Sequence, residues 1–347
     1  MKSATAKTPF EDFLNTHTEA AWSALLADLV PSVHEVDKAA TQIWFAFYPL
    51  ALQRALTEAD DPAELAARLL LKGRYYLKDR IDSSHRFLYG HRYWPEVKRA
   101  VEEHAAAVVD AEQRRPDLAG QIREVAKRVA SSFKAQESLL TGITAVAFMT
   151  LQQVGAAAFK AAPGAVNINA AHARKSPEQV LKERAKDDSQ GLFGFLRTVD
   201  KVWTVTYDEN DPRAKYKLNN AEDLASGAAR DRSRDWRAED PRCVEGPIPV
   251  ECRSASCGTC WVGVLGGAEK LAARSARERK RMKEFGYIDT DDPRPIIRLA
   301  CMAEASGAVS IVIPSWNGVF GKYLAARKAN GGEASDADAN PSGGLEE

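Results

Sequence analysis

Cys252-Arg253-Ser254-Ala255-Ser256-Cys257-Gly258-Thr259-Cys260 places three thiols in the spacing C-x4-C-x2-C, and Cys301 adds a fourth from a distant segment. Three thiolates on one tight loop with a fourth returning from elsewhere are a ligand set for two irons bridged by sulfides, a [2Fe–2S] cluster. Ala255 and Gly258 are small enough to let the backbone wrap close, so that amide N–H groups can point at the sulfurs and stabilise added negative charge. Zinc is the competing reading, but a zinc site usually offers two short knuckles, and here the second half is Cys301 alone. Disulfides are disfavoured by the reducing compartment inferred below. Cys243 lies outside the pattern and reads as a semi-buried thiol rather than a fifth ligand or a redox switch.

Outward from this loop the sequence reads as strands. Trp261-Val262-Gly263-Val264-Leu265 is one, ended by Gly266-Gly267, and Val309 to Ile313 is another, closed by Pro314. Upstream, Trp203 to Tyr207 alternates as a strand. Asp208 to Pro212 is rich in turn residues, and Ala214 to Leu218 reads as the returning strand of a hairpin. Asn220 to Arg230 reads as a helix capped by Asn219 or Asn220. Strands, a helix, a cysteine loop and more strands make an α+β order. Residues 195–320 resemble the [2Fe–2S] ferredoxins of the β-grasp fold, in the plant-type and adrenodoxin-like superfamily. The resemblance rests on CRSASCGTC, on WVGVL with its two glycines, and on Arg298-Leu299-Ala300-Cys301-Met302 leading into SIVIP. It implies that Cys252 and Cys257 hold the iron nearer the surface and Cys260 and Cys301 the inner one. It also implies a protein that passes single electrons between a reductase and an acceptor. Two features depart from that family. The stretch between Cys260 and Cys301 is longer than usual and carries Lys270, Arg274, Arg277, Arg279, Lys280, Arg281 and Lys283, where relatives often dock through acidic residues. This basic run reads first as a solvated helix face, with a docking surface for an acidic partner as the alternative. Arg230 to Arg242 (RDRSRDWRAEDPR) mixes signs and reads as a surface loop.

The N-terminal part has a different period. Thr8-Pro9-Phe10-Glu11 is a capping box, followed by Trp22, Leu25, Leu26 and Leu29 at helical spacing. Asp61-Pro62-Ala63-Glu64 repeats the start signal. Val97, Val101, His104 and Val108 form one stripe, and Leu118, Ile122, Val125, Val129 and Phe133 another. These patterns predict an all-α bundle over residues 1–162. A linker with a short helix capped at Ser176 then covers 163–190, and the ferredoxin-like domain covers 191–328. Residues 329–347 are an acidic, glycine-rich tail expected to be disordered. The apolar stretch 139–159 has no charge and reads as the central helix of the bundle; its second reading is a membrane-associated helix. Ser84 to Trp94 packs two histidines, two arginines and four aromatic residues together. It reads as a packed helix junction with hydrogen-bonded histidines, with a ligand or haem pocket as the alternative.

Lys and Arg together balance Asp and Glu, 48 against 48, so bulk charge gives no reason to expect nucleic acid. The opening MKSATAKTPFEDF has no apolar core or cleavage site, which predicts a cytoplasmic protein, peripheral to the inner face of a membrane if 139–159 lies on lipid. Phosphate loops, dinucleotide fingerprints and nucleophile elbows do not occur in the sequence, so flavin and nicotinamide are assigned to another protein. The expected function is therefore a one-electron carrier, rather than an enzyme in its own right, whose helical domain docks it to a redox partner protein. The iron–sulfur subunit of a larger oxidoreductase and a redox-sensing regulator are the alternatives.

Overall fold

A computed structural model describes residues 7–108, 117–186, 201–287 and 290–321; the acidic tail 329–347 lies outside the described residues. The first part is helical: α1 (Pro9–Asn15), α2 (Glu19–Leu29), α3 (Glu35–Phe47), α4 (Leu50–Glu58), α5 (Pro62–Arg68), α6 (Trp94–Ala106), α7 (Leu118–Phe133), α8 (Ser138–Val154) and α9 (Ala156–Ala161). The start signals act as read. Thr8 and Glu11 form a reciprocal capping box, and Asp61 accepts from the amides of Ala63 and Glu64. Gly155 ends the apolar segment by turning the chain with a φ of +81°. Leu139 through Leu151 of α8 are all buried, with α1, α3, α6, α7 and α9 packed around them. No helix among the described residues is long and apolar enough to cross a membrane. The stripe on α7 is buried except at its end, where Phe133 is exposed.

Two short helices, α10 (Ala170–Ala173) and α11 (Pro177–Ala185), lead to the second part. Ser176 caps α11 with a second capping box. Here a five-stranded mixed sheet forms in the order β3 (Lys215–Asn219), β2 (Val202–Thr206), β8 (Val309–Val312), β5 (Trp261–Gly266), β6 (Ile297–Leu299). β2 runs antiparallel to β3 and parallel to β8, while β5 is antiparallel to both β8 and β6. The hairpin, the cysteine-flanking strand and the last strand therefore lie within a residue or so of the expected positions. The helix expected from Asn220 is shorter. Glu222–Asp223 first pairs as β4 with β7 (Glu304–Ala305), and Asp223, not Asn219 or Asn220, caps α12 (Leu224–Ala229). The mixed-charge stretch 230–242 is not wholly surface: it holds α13 (Trp236–Glu239), whose Trp236 ring is buried against Tyr207, and Arg242 is folded back onto Asp240. The basic run forms α14 (Ala276–Phe285).

The helical part and the sheet share one core. Lys72–Gly73, a short strand β1 inside the helical part, pairs antiparallel with β9 (Trp316–Asn317) beyond the last sheet strand. Trp316 donates its indole N–H to the Phe47 carbonyl (2.7 Å), and Val319 donates its amide to the Leu69 carbonyl (3.1 Å). Phe47 meets Trp261 edge to face at 5.0 Å, and Ile43 lies so close to Gly263 that an added Cβ would sit 2.5 Å from it. Farther along, buried Arg184 of α11 donates to the Val36 carbonyl and forms a bidentate pair with Glu209, tying α11, α3 and the loop after β2 together.

Candidate metal centre

The loop between α13 and β5 brings the four thiols of the motif together in two pairs. Cys252 and Cys257 contact each other and are partly exposed; Cys260 and Cys301 contact each other and are buried. Cys260 sits one residue before β5. Cys301 follows β6, where the Ala300 amide donates to the Cys260 carbonyl (2.9 Å) and sets the two segments side by side. Among the described residues, no three His, Cys, Asp or Glu side chains converge to hold a single metal ion.

The loop backbone alternates in a way that aims amides at sulfur. Arg253, Ala255 and Gly258 have φ of +51°, +57° and +76°. In each case the next residue turns its N–H onto a thiol: Ser254 and Ser256 donate to Cys252 Sγ (3.5 and 3.2 Å), and Thr259 donates to Cys257 Sγ (3.5 Å). Successive N–H groups brought inward by such left-handed turns make a concavity that suits an anion. For Arg253 and Ala255 this conformation costs about 1–3 kcal/mol each, a strain the favourable contact with negative sulfur offsets. Gly258 has a second constraint, because a Cβ there would lie 2.9 Å from the Phe285 ring. The need for small residues at 255 and 258 was legible in the sequence; the left-handed turn at Arg253 was not.

Protonation follows the same contacts. Partial burial opposes ionisation of Cys252, but the Ser254 and Ser256 amides and the neighbouring Cys257 thiol bring it down to about 7. Burial pushes Cys257 up. In the inner pair, the hydrogen bond between the two thiols holds Cys260 up and Cys301 down, with the Ala255 amide adding to the effect on Cys301. Cys243 behaves differently. It is buried, donates to the Pro247 carbonyl (3.3 Å), and is pushed by burial up to about 12, the signature of an inert packing thiol.

Groups with no assigned role in the motif hold this cage from behind. Tyr287 stacks on Trp261 (4.1 Å, interplanar angle 7°), and its hydroxyl proton is shared between the carbonyls of Gly258 (2.7 Å) and Gly318 (2.6 Å). Glu278 of α14, fully buried, accepts from Arg298 Nε and Nη2 (2.9 and 3.0 Å) and from the Leu299 amide (2.9 Å), just before Cys301. Lys72 pairs with Glu251, beside Cys252, and Arg253 pairs with Glu245. The aromatic segment Ser84 to Trp94 forms a packed junction. His85 and His91 are buried with their Nδ1 atoms 2.9 Å apart, and His85 Nε2 donates to the Ile81 carbonyl, which leaves the His91 Nδ1–H as donor to His85.

This donor set fits a [2Fe–2S] cluster: four thiols in two pairs, with amides directed at the outer sulfurs. Residues 240–306, which include all four thiols, match the family model described as the 2Fe-2S iron-sulfur cluster binding domain. No curated protein and no solved structure matches the chain. The C-terminal part is thus a [2Fe–2S] ferredoxin-type domain, its cofactor is a [2Fe–2S] cluster, and its function is that of an iron–sulfur electron carrier.

Proposed function

We propose that the chain is a one-electron carrier of the plant-type and adrenodoxin-like class, with Cys252 and Cys257 as ligands of the outer iron and Cys260 and Cys301 as ligands of the inner one. The pairing of the thiols carries this reading: two contacting pairs suit two irons with two thiolates each. When bound, the cluster supplies reversible one-electron chemistry. The chain's own residues do the rest. The Ser254, Ser256 and Thr259 amides stabilise the extra negative charge on the outer sulfurs, and burial of Cys260 and Cys301 keeps water from the inner side. A β-grasp domain fits the hairpin β2–β3, the helix α12 against β3 and the parallel pair β2–β8. The helical part, continuous with the core behind Trp261, serves as the platform that presents this domain to a redox partner protein.

An EPR-monitored redox titration of the anaerobically purified full-length protein tests the assignment. A rhombic signal of about one spin per protein, with a midpoint on the order of −400 to −250 mV, is the expected result. An iron-replete, reduced sample without that signal refutes the cluster assignment. A midpoint far above the window refutes the carrier reading.

A further inference from the structure

The stretch between Cys260 and Cys301 brings to the cluster loop one side chain that the ligand set does not require. Tyr287 follows α14 and is held by several contacts at once. Gly286 turns the chain out of the helix with a φ of +80°, and the Tyr287 amide donates back to the Met282 carbonyl (3.0 Å). The buried ring lies flat on Trp261, the residue after Cys260, and meets Phe285 at 62°. Phe285 in turn closes on Gly258. The hydroxyl is therefore delivered to a fixed point.

Both of its partners, Gly258 and Gly318, offer carbonyl oxygens, which only accept, so the hydroxyl is the donor in either bond. The Gly258 carbonyl belongs to the peptide unit whose other end is the Thr259 N–H, the group that donates to Cys257 Sγ. Tyr287 O–H, the Gly258–Thr259 peptide and Cys257 Sγ thus form one chain of hydrogen bonds. A bond accepted at the carbonyl end polarises the peptide and makes its N–H a stronger donor. It also pins the peptide plane. Gly258, with no Cβ and a φ of +76°, does little to hold that plane itself, and the Thr259 bond is already long at 3.5 Å. Gly318 follows β9, the strand paired with Lys72–Gly73, so the same hydroxyl joins the loop to the seam with the helical part.

An added electron raises the negative charge on sulfur, and a hydrogen bond to that sulfur then stabilises the reduced state more than the oxidised one. Resting on the electron-carrier reading, we propose that Tyr287 is a positioning residue that sets the midpoint potential. Through the Gly258–Thr259 peptide it strengthens the bond to Cys257 Sγ, and so holds the potential above the value that the thiols and loop amides alone would give.

The test compares the full-length holoprotein with Tyr287→Phe, which keeps the stacked ring and deletes the hydroxyl, by anaerobic titration with dithionite. One electron enters from dithionite, and in the parent the Tyr287 proton stays on its oxygen. Iron content and visible spectrum are expected to match between the two proteins. The equilibrium constant for reduction is expected to fall roughly threefold, at the lower end of what one hydrogen bond contributes, because Gly318 shares the proton. At about 59 mV per tenfold for one electron, this is a midpoint about 28 mV lower. The sign separates this role from packing. Water admitted by a looser site favours the more negative reduced state and raises the midpoint. A raised or unchanged midpoint in the variant therefore overturns the proposal. Tyrosine fluorinated beside the hydroxyl, incorporated in place of Tyr287, keeps ring and hydroxyl but has a more acidic, stronger-donating O–H. Its midpoint is expected to lie above that of the parent, and a value at or below it also overturns the proposal. This second arm decides the matter if Tyr287→Phe does not retain its cluster. A parent protein with no cluster spectrum refutes the carrier reading instead, so the two failures are distinct.

Discussion

Replacing Glu278 by Ala removes the anion from a pair in which both side chains are fully buried and three hydrogen bonds converge. The Arg298 guanidinium would keep its bond to the Ala272 carbonyl (3.0 Å) but lose its countercharge. Breaking a buried pair from one side costs about 3–5 kcal/mol, because an uncompensated charge is left inside. The Leu299 amide would also lose its acceptor, at about 1–3 kcal/mol. A combined loss of about 4–8 kcal/mol is a large share of a domain stability of about 5–15 kcal/mol. It falls on the segment that positions Cys301, so cluster retention and fold should fail together. Urea unfolding followed by far-UV circular dichroism, in parallel with the visible absorbance of the cluster, measures both. The double variant Glu278→Leu/Arg298→Met removes both charges and leaves the Leu299 amide as the main deficit, so it should recover to within about 2 kcal/mol of the parent. A cost below about 1 kcal/mol for the single variant, or a double variant no better than the single, refutes the view of this pair as the anchor of the inner thiol segment.

Cys257→Ser should lose or badly destabilise the cluster, whereas Cys243→Ser should leave the visible spectrum intact; bleaching by the second would overturn the ligand assignment. His91 is lowered to about 4, mainly by burial, and His85 is lowered with it. The unfolded chain binds those protons first, so this contribution is complete above pH 6.5 and is lost as pH falls towards 4, by up to about 3 kcal/mol for His91. Thermal melts across that range should show it, and His91→Gln should flatten the slope; an equally steep slope in the variant would exclude His91 as its source. Residues 201–347 expressed alone would uncover the faces around Trp316, Trp261 and Gly263 that the helical part now covers. The fragment should aggregate or lose its cluster on size-exclusion chromatography, and a monodisperse holo fragment would show that the shared core is dispensable.

What the sequence made legible was local. Capping boxes at Thr8 and Ser176 and the alternation of β5 and β8 depend on residues a few positions apart, and their positions came out nearly as read. The cysteine loop was legible for the same reason: its thiols lie close in sequence and its small residues mark a tight wrap. What could not be read depends on distant partners. Asp223 displaces Asn220 as the cap because Glu222–Asp223 is recruited by β7, some way along the chain. Lys72–Gly73 has no strand-like pattern and becomes a strand only because Trp316–Asn317 comes alongside. The mixed-charge stretch 230–242 looked solvated, yet a single large ring, Trp236, folds part of it inward. Glu278 and Arg298 each look like ordinary surface charges, and only their encounter across the fold makes them a buried pair.

The shared core also decides where an electron can leave. Phe47, Trp316 and Tyr287 surround Trp261 immediately behind Cys260, so the inner pair faces packed aromatic rings rather than solvent. Cys252 and Cys257 are left partly exposed at the rim. The outer pair is thus the side of the cage open to solvent, on a loop flanked by Glu251 with Lys72, Glu245 with Arg253, and α14. The first two are closed on themselves, and Lys72 comes from the helical part, so the N-terminal region shapes the rim as well as the core.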